Sequence, residues 1–162
     1  MLRDQIHPAH RDDHPVNKLA RSAGDAAKPP NDLDLSVLIR TLNEADRIGA
    51  TITSVLPLNA EIVVIDAGST DNTVEIAKSL GATVFIHAWP GFGPQRRYGE
   101  EKCSGRYVFS LDADEIVTPE LNGQIREILS RPRPPALIII RKAIIFPNRS
   151  KPLPFGFAHE QI

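Results

Sequence analysis

An α/β domain with a mainly parallel sheet flanked by helices is what this sequence predicts, and three observations predict it. From Leu33 onward, short apolar runs alternate with segments of helical period. The connections between them are short, and a β-α-β-α-β order joined in this way implies right-handed crossovers and parallel strands. Each of the clearest runs ends on a polar residue, Thr41, Asp66 or Asp112. Parallel strands bring those residues to one edge, where open α/β sheets bind their ligands.

The elements follow in chain order. Residues 1–32 are polar and carry Pro8, Pro15, Pro29 and Pro30, so they read as a disordered N-terminal tail. His7, His10 and His14 have a spacing that one helix face could share, but the prolines argue against that helix. Leu35–Ile39 is the first strand and leads into Arg40-Thr41-Leu42-Asn43-Glu44. Asn43 is the expected N-cap of a helix carrying Ile48, Ile52 and Val55, which Pro57 stops. Glu61–Ile65 is the second strand, closed by Asp66 through Asp71. Gly68 permits a tight turn there, and Ser69 or Thr70 is the expected cap of the helix bearing Val74, Ala77 and Leu80. That helix ends at Gly81, and Thr83–Ile86 is the third strand.

Trp89 to Pro94 is a Gly/Pro-rich loop, with Pro94 suited to the first turn of a following helix. Arg96 and Arg97 on that helix either present cations to a diphosphate or form an exposed basic turn. Gly99 and Gly105 weaken the helix between them. Tyr107–Leu111 is one more buried strand. Thr118 and Pro119 are an N-cap and first helical position, followed by the stripe Leu121, Ile125, Ile128 and Leu129. Ala136–Ile140 is strongly β-prone, Ala143–Phe146 extends it, and residues 151–162 read as an irregular end.

Bulk properties narrow the function. The chain has 162 residues, enough for one modest core, and 19 basic against 20 acidic residues leave no electrostatic footprint for nucleic acid. A single cysteine, Cys103, excludes an intrachain disulfide, suits a cytosolic setting and reads as a small buried residue. No run approaches a membrane span, and the first residues are charged rather than apolar as a signal peptide would be. The G-x-G at Gly91–Gly93 lacks the third glycine of a dinucleotide fingerprint, since Arg96 stands in that place, and there is no Walker A sequence.

The chemistry-bearing stretch is Tyr107–Glu115, an apolar strand ending in Asp112, Asp114 and Glu115. In extended geometry Asp112 and Asp114 point the same way, with Ala113 opposite. Two hard oxygen ligands on one side suit Mg²⁺ or Mn²⁺, which keep several waters and bridge to phosphates. The plainer reading is a solvated acidic turn.

Three stretches in order and spacing resemble a known family. Ser36–Glu44 (S-V-L-I-R-T-L-N-E), Glu61–Thr73 (E-I-V-V-I-D-A-G-S-T-D-N-T) and Tyr107–Glu115 (Y-V-F-S-L-D-A-D-E) are similar to the inverting family 2 glycosyltransferases of the GT-A fold. The nearest likeness is to bacterial lipopolysaccharide-core enzymes with D-x-G-S-x-D-x-T, W-x-G-F-G-x-Q and S-L-D-A-D-E, here Asp66–Thr73, Trp89–Gln95 and Ser110–Glu115. The resemblance covers about Leu33 to Phe146. It implies a GT-A (Rossmann-like) donor-binding domain over residues 33–150, with an incomplete C-terminal acceptor half. Thr41 and Glu44 would line the nucleotide pocket and Asp66 would bind the base, taken as uracil; Arg96, from its place on the helix after the Gly/Pro-rich loop, joins them as a nucleotide-sugar-binding candidate. Asp112 and Asp114 would form the D-x-D pair that holds Mg²⁺ or Mn²⁺ on the sugar diphosphate.

The implied activity moves a sugar from a UDP-sugar to a saccharide or lipid-linked acceptor in cell-envelope polysaccharide or lipopolysaccharide synthesis. The implied location is the cytoplasm, extending to peripheral contact at the inner face of the membrane. Arg40 stands where the family often has proline, Leu42 where it often has an aromatic, Ala67 for a second aspartate and Arg97 for asparagine. Family members continue well past the D-x-D, and that later half supplies the acceptor site and base. No base is assigned here, with His159-Glu160 only a weak candidate. A truncated, catalytically silent donor-binding domain is therefore the alternative.

Overall fold

The computed structural model describes residues 32–140 and Lys142. In chain order the elements are β1 (Leu35–Thr41), α1 (Ile48–Val55) with a 3₁₀ turn (Leu56–Leu58), β2 (Glu61–Asp66), α2 (Thr73–Ser79), β3 (Thr83–Ile86), α3 (Phe92–Glu100), β4 (Tyr107–Asp112) and α4 (Pro119–Leu129). The four strands form one sheet in the order β3-β2-β1-β4, and every pairing is parallel. The expected α/β architecture is the one observed.

β1 is central, and its near-continuous apolar run is that of a strand covered on both faces. Alternation divides it between two cores. Leu35, Val37 and Ile39 join Ile62, Val64 and Leu111 beneath Ile48, Ile52 and Val55 of α1, Ala77 of α2, and Ile125 and Leu129 of α4. On the other face Leu38, Val63 and Ile65 pack with Phe85, Tyr98 and Cys103, which is half-buried rather than fully enclosed. That face belongs to α3. Gly99 brings α3 down onto the sheet: a Cβ there would stand 2.7 Å from Leu38 Cδ1 and 3.0 Å from Ile65 Cγ1. The glycine that weakens the helix by propensity is what allows the helix to seat.

Several expectations are corrected in detail. Asn43 is not an N-cap; it has φ 55°, and α1 begins only at Ile48. Neither Ser69 nor Thr70 caps α2, which starts at Thr73 behind Asn72. In both places the polar side chain is used between loops instead of at its own helix. α3 starts at Phe92, so Pro94 does lie in its first turn. Thr118 does cap α4, accepting the Leu121 N–H at 3.3 Å, with Pro119 at the first position. Ala136–Ile140 is not a strand. It keeps the period-two pattern, with Ile138 and Ile140 packed on the core and Leu137 and Ile139 exposed, but among the described residues no strand pairs with it. A β-prone run without a ladder partner stays irregular. The expectations for the N-terminal tail, Ala143–Phe146, His159-Glu160 and residues 151–162 lie outside the described residues.

Candidate functional site

Parallel pairing places the carboxyl ends of β2, β1 and β4 side by side. Thr41 lies opposite Asp66, and Arg40 lies opposite Asp112. The strand tips singled out in the sequence are thus immediate neighbours on one edge. They do not share one face, however. Thr41 and Asp66 continue the alternation of the α1/α2 face, whereas Arg40 and Asp112 continue that of the α3 face.

Asp66 is fully buried, yet its carboxylate is satisfied. Oδ1 accepts the backbone N–H groups of Gly68 (2.9 Å) and Ser69 (2.8 Å), and Oδ2 accepts the Ser69 hydroxyl (2.5 Å). Gly68, at φ 106°, makes the turn that aims these donors back at the strand end. The loop after β2 is then fastened to the loop after β1. Asn43 N–H donates to Ser69 Oγ (2.7 Å), Glu44 N–H to Thr73 Oγ1 (2.8 Å), Ala45 N–H to Asp71 Oδ2 (3.1 Å) and Thr70 N–H to Asn43 Oδ1 (2.8 Å). The Thr73 hydroxyl also donates to Asp71, and this bond, more than the Ala45 and Thr73 amides, holds the Asp71 carboxyl below the usual carboxylate range. The same Asp71 carboxylate is exposed.

Thr41 is buried beside Asp66, and its Oγ1 has no partner. The Thr41 carbonyl accepts the Ala67 N–H at 2.9 Å. Glu44 pairs with Arg47 at 3.2 Å at the rim of the same two loops.

On β4 the chain does not stay extended through Asp114. A turn closes at once, with Glu115 N–H donating to the Asp112 carbonyl at 3.0 Å. Asp112 and Asp114 are both exposed, and Ala113 is buried between them. Glu115 belongs to the scaffold: it accepts the Asp112 N–H (3.0 Å) and the Lys142 ammonium (2.5 Å). Among the described residues no three acidic, His or Cys side chains converge as a self-sufficient metal site. Two exposed carboxylates fit Mg²⁺ or Mn²⁺ shared with a diphosphate, ions that a protein commonly holds by one or two carboxylates while phosphates and water complete the shell. Asp112 also meets Arg40, at 2.7 Å from Nη2 to Oδ1.

Arg96 is half-buried on α3 and pairs with Glu100 one turn further on at 2.8 Å. No hydrogen bond among the described residues joins it to the strand tips. Arg97 is exposed and lines a cavity of about 490 Å³ with His87, Pro90 and Tyr98. The sequence reading missed the residue that builds this corner. Gln95 is almost wholly buried; its amide nitrogen donates to the His87 carbonyl (3.2 Å), and its oxygen meets His87 Nδ1 (2.7 Å). His87 stacks on Tyr98 at 3.8 Å, and its N–H extends the β2–β3 ladder to the Asp66 carbonyl. Its place as the closing residue of the W-x-G-F-G-x-Q stretch was the available signal.

The described residues thus form an α/β domain whose parallel sheet carries a buried aspartate-anchored loop after β2 and an acidic turn after β4, on either side of β1. The chain belongs to glycosyl transferase family 2, whose profile matches residues 36–154. An uncharacterised glycosyltransferase of Rickettsia prowazekii is 41% identical over 96 residues, 59% of this chain and 33% of that protein. The lipopolysaccharide core biosynthesis glycosyltransferase LpsC of Rhizobium meliloti is 35% identical over 103 residues, 60% of this chain and 38% of LpsC. The chain therefore spans only about a third of the length of these relatives. Among solved structures, glucosyl-3-phosphoglycerate synthase of Mycobacterium tuberculosis in complex with Mn²⁺, UDP and glucosyl-3-phosphoglycerate is 32% identical, with a TM-score of 0.45, covering 49% of this chain and 33% of that one. No helix among the described residues is long and apolar enough to cross a membrane.

Proposed function

We propose that these residues form the donor-binding half of a glycosyltransferase that takes its sugar from a UDP-sugar. One observation carries the reading: the register sets Asp66, Thr41, Arg40 and Asp112 next to each other on three adjoining strand tips. The loops zipped above Asp66 form the nucleoside side, with the buried, unpartnered Thr41 hydroxyl beneath them. Asp112 and Asp114 form the diphosphate side and would hold Mg²⁺ or Mn²⁺. When bound there, the cation acts as a Lewis acid that stabilises the charge growing on the leaving diphosphate. The chain's own part is to fix the nucleoside against a rigid double loop and to hold two carboxylates at the anomeric end. The acceptor is a saccharide or a lipid-linked glycan of envelope polysaccharide synthesis, a reading supported by the likeness to LpsC.

A second reading is donor binding without turnover. Turnover separates it from the first reading, because transfer needs a positioned base for the acceptor hydroxyl. Thermal denaturation tests the binding. A ligand at a hundred times its Kd stabilises the folded state by about 2.7 kcal/mol. UDP with Mn²⁺ is expected to raise the melting temperature, and D112A is expected to remove the metal-dependent part of the rise. Equal shifts in both proteins refute the metal assignment, and donor hydrolysis or transfer by the chain alone refutes the silent reading.

A further inference from the structure

The ion pair between Arg40 and Asp112 joins neighbouring strand tips at the candidate metal ligand. Arg40 stands where the family resemblance often has proline. The Arg40 side chain is only 18% exposed, against 51% for Asp112, and its Nε is buried with no acceptor. A mostly buried guanidinium with one donor unmatched is a costly group to leave without a counter-charge.

We propose that Arg40 is a latch on the metal-binding aspartate. It holds Asp112 while the donor is absent, and it passes its guanidinium to the diphosphate when Asp112 turns to the divalent cation. This rests on the metal reading of Asp112 given above. A cation arriving alone must strip Asp112 from Arg40 and strand the guanidinium, so it binds poorly. A cation arriving with a diphosphate brings oxygens that suit the planar fork and replace the Asp112 carboxylate as partner of the Arg40 terminal nitrogens. Metal and nucleoside diphosphate therefore favour each other, by the same factor in either order of addition.

Calorimetric titration of the full chain with MnCl₂, with UDP, and with UDP in saturating MnCl₂ tests the latch without any turnover. R40M is expected to bind Mn²⁺ alone about tenfold more tightly, since Asp112 is released. It is expected to lose about tenfold of the gain that Mn²⁺ brings to UDP, a change of about 1.4 kcal/mol. R40K keeps the charge and loses the fork, so it is expected to lie between R40M and the wild type, and it carries the test if circular dichroism shows R40M unfolded. Mn²⁺ and UDP affinities within twofold of wild type in the folded variants overturn the latch alone. Wild-type protein without Mn²⁺-dependent UDP binding, or D112N retaining it, overturns the site reading and the latch together.

Discussion

Gly99→Ala sets two effects of opposite sign against each other. On helix propensity alone, alanine in place of an interior glycine stabilises a helix by about 1 kcal/mol. The site opposes it. An added Cβ would meet Leu38 Cδ1 at 2.7 Å, Leu38 Cδ2 at 2.9 Å and Ile65 Cγ1 at 3.0 Å. Leu38 and Ile65 are fully buried, so neither can swing into solvent. Overpacking of this kind costs about 1–3 kcal/mol, and three contacts at or below 3.0 Å put this case toward the upper end. The expected balance is a net loss of about 1–2 kcal/mol, or a fall in melting temperature of about 2–8 °C for a domain of this size. Urea denaturation followed by circular dichroism measures it. Leu38→Ala alone is expected to cost about 2–5 kcal/mol. The double variant G99A/L38A should cost less than the sum, because the new methyl group enters the space that Leu38 vacates. A stabilised G99A, or strict additivity in the double variant, would show that α3 does not seat on the sheet through this contact.

Three further outcomes are expected. Ser69→Ala removes one of the donors to Asp66 and the acceptor for Asn43 N–H, so it should cost about 1–2 kcal/mol of stability and weaken UDP binding, read by denaturation and calorimetry. Asp71 has a depressed folded value, so its contribution to stability is present above its ordinary value of 3.8 and is lost as pH falls through the folded value; melting curves of wild type and D71N should differ near neutrality and converge under acid. Arg126→Met removes donors to the Pro57 carbonyl (3.2 Å), the Leu58 carbonyl (3.1 Å) and Asp32 (3.0 Å), and it should lower stability by about 1–2 kcal/mol while leaving UDP affinity unchanged.

What could be read from the sequence was whatever depends on period and on chain direction. Buried strands with near-continuous apolar runs and short crossovers announce a parallel sheet, and a parallel sheet dictates that Thr41, Asp66 and Asp112 end on one edge. Side-chain partners between loops were not legible in the same way. Asn43 and Ser69 have the composition of helix caps, and only the fold shows that each is spent on the opposite loop. The turn at Asp112–Glu115 was likewise hidden, because alternation along a strand carries no information on the residue at which the strand stops. Gly99 was read by propensity alone, since its use lies in Leu38 and Ile65, far off in sequence.

The split of the strand tips between two faces constrains how one ligand meets both halves of the site. Thr41 and Asp66 belong to the face under α1 and α2, Arg40 and Asp112 to the face under α3. Asp66 and Asp112 stand on strands separated by β1, two spacings apart or roughly 10 Å. On the proposed reading, a nucleoside diphosphate held by both would cross the tip of β1, with its nucleoside toward the zipped loops and its diphosphate toward the acidic turn. The residues at that crossing are Arg40 and Thr41, consecutive and pointing to opposite faces. Both carry a buried polar atom without a partner, Nε and Oγ1. Five side chains among the described residues carry such an atom, and the two that are adjacent in sequence lie at this crossing, where a ligand that reorients either side chain would supply a partner.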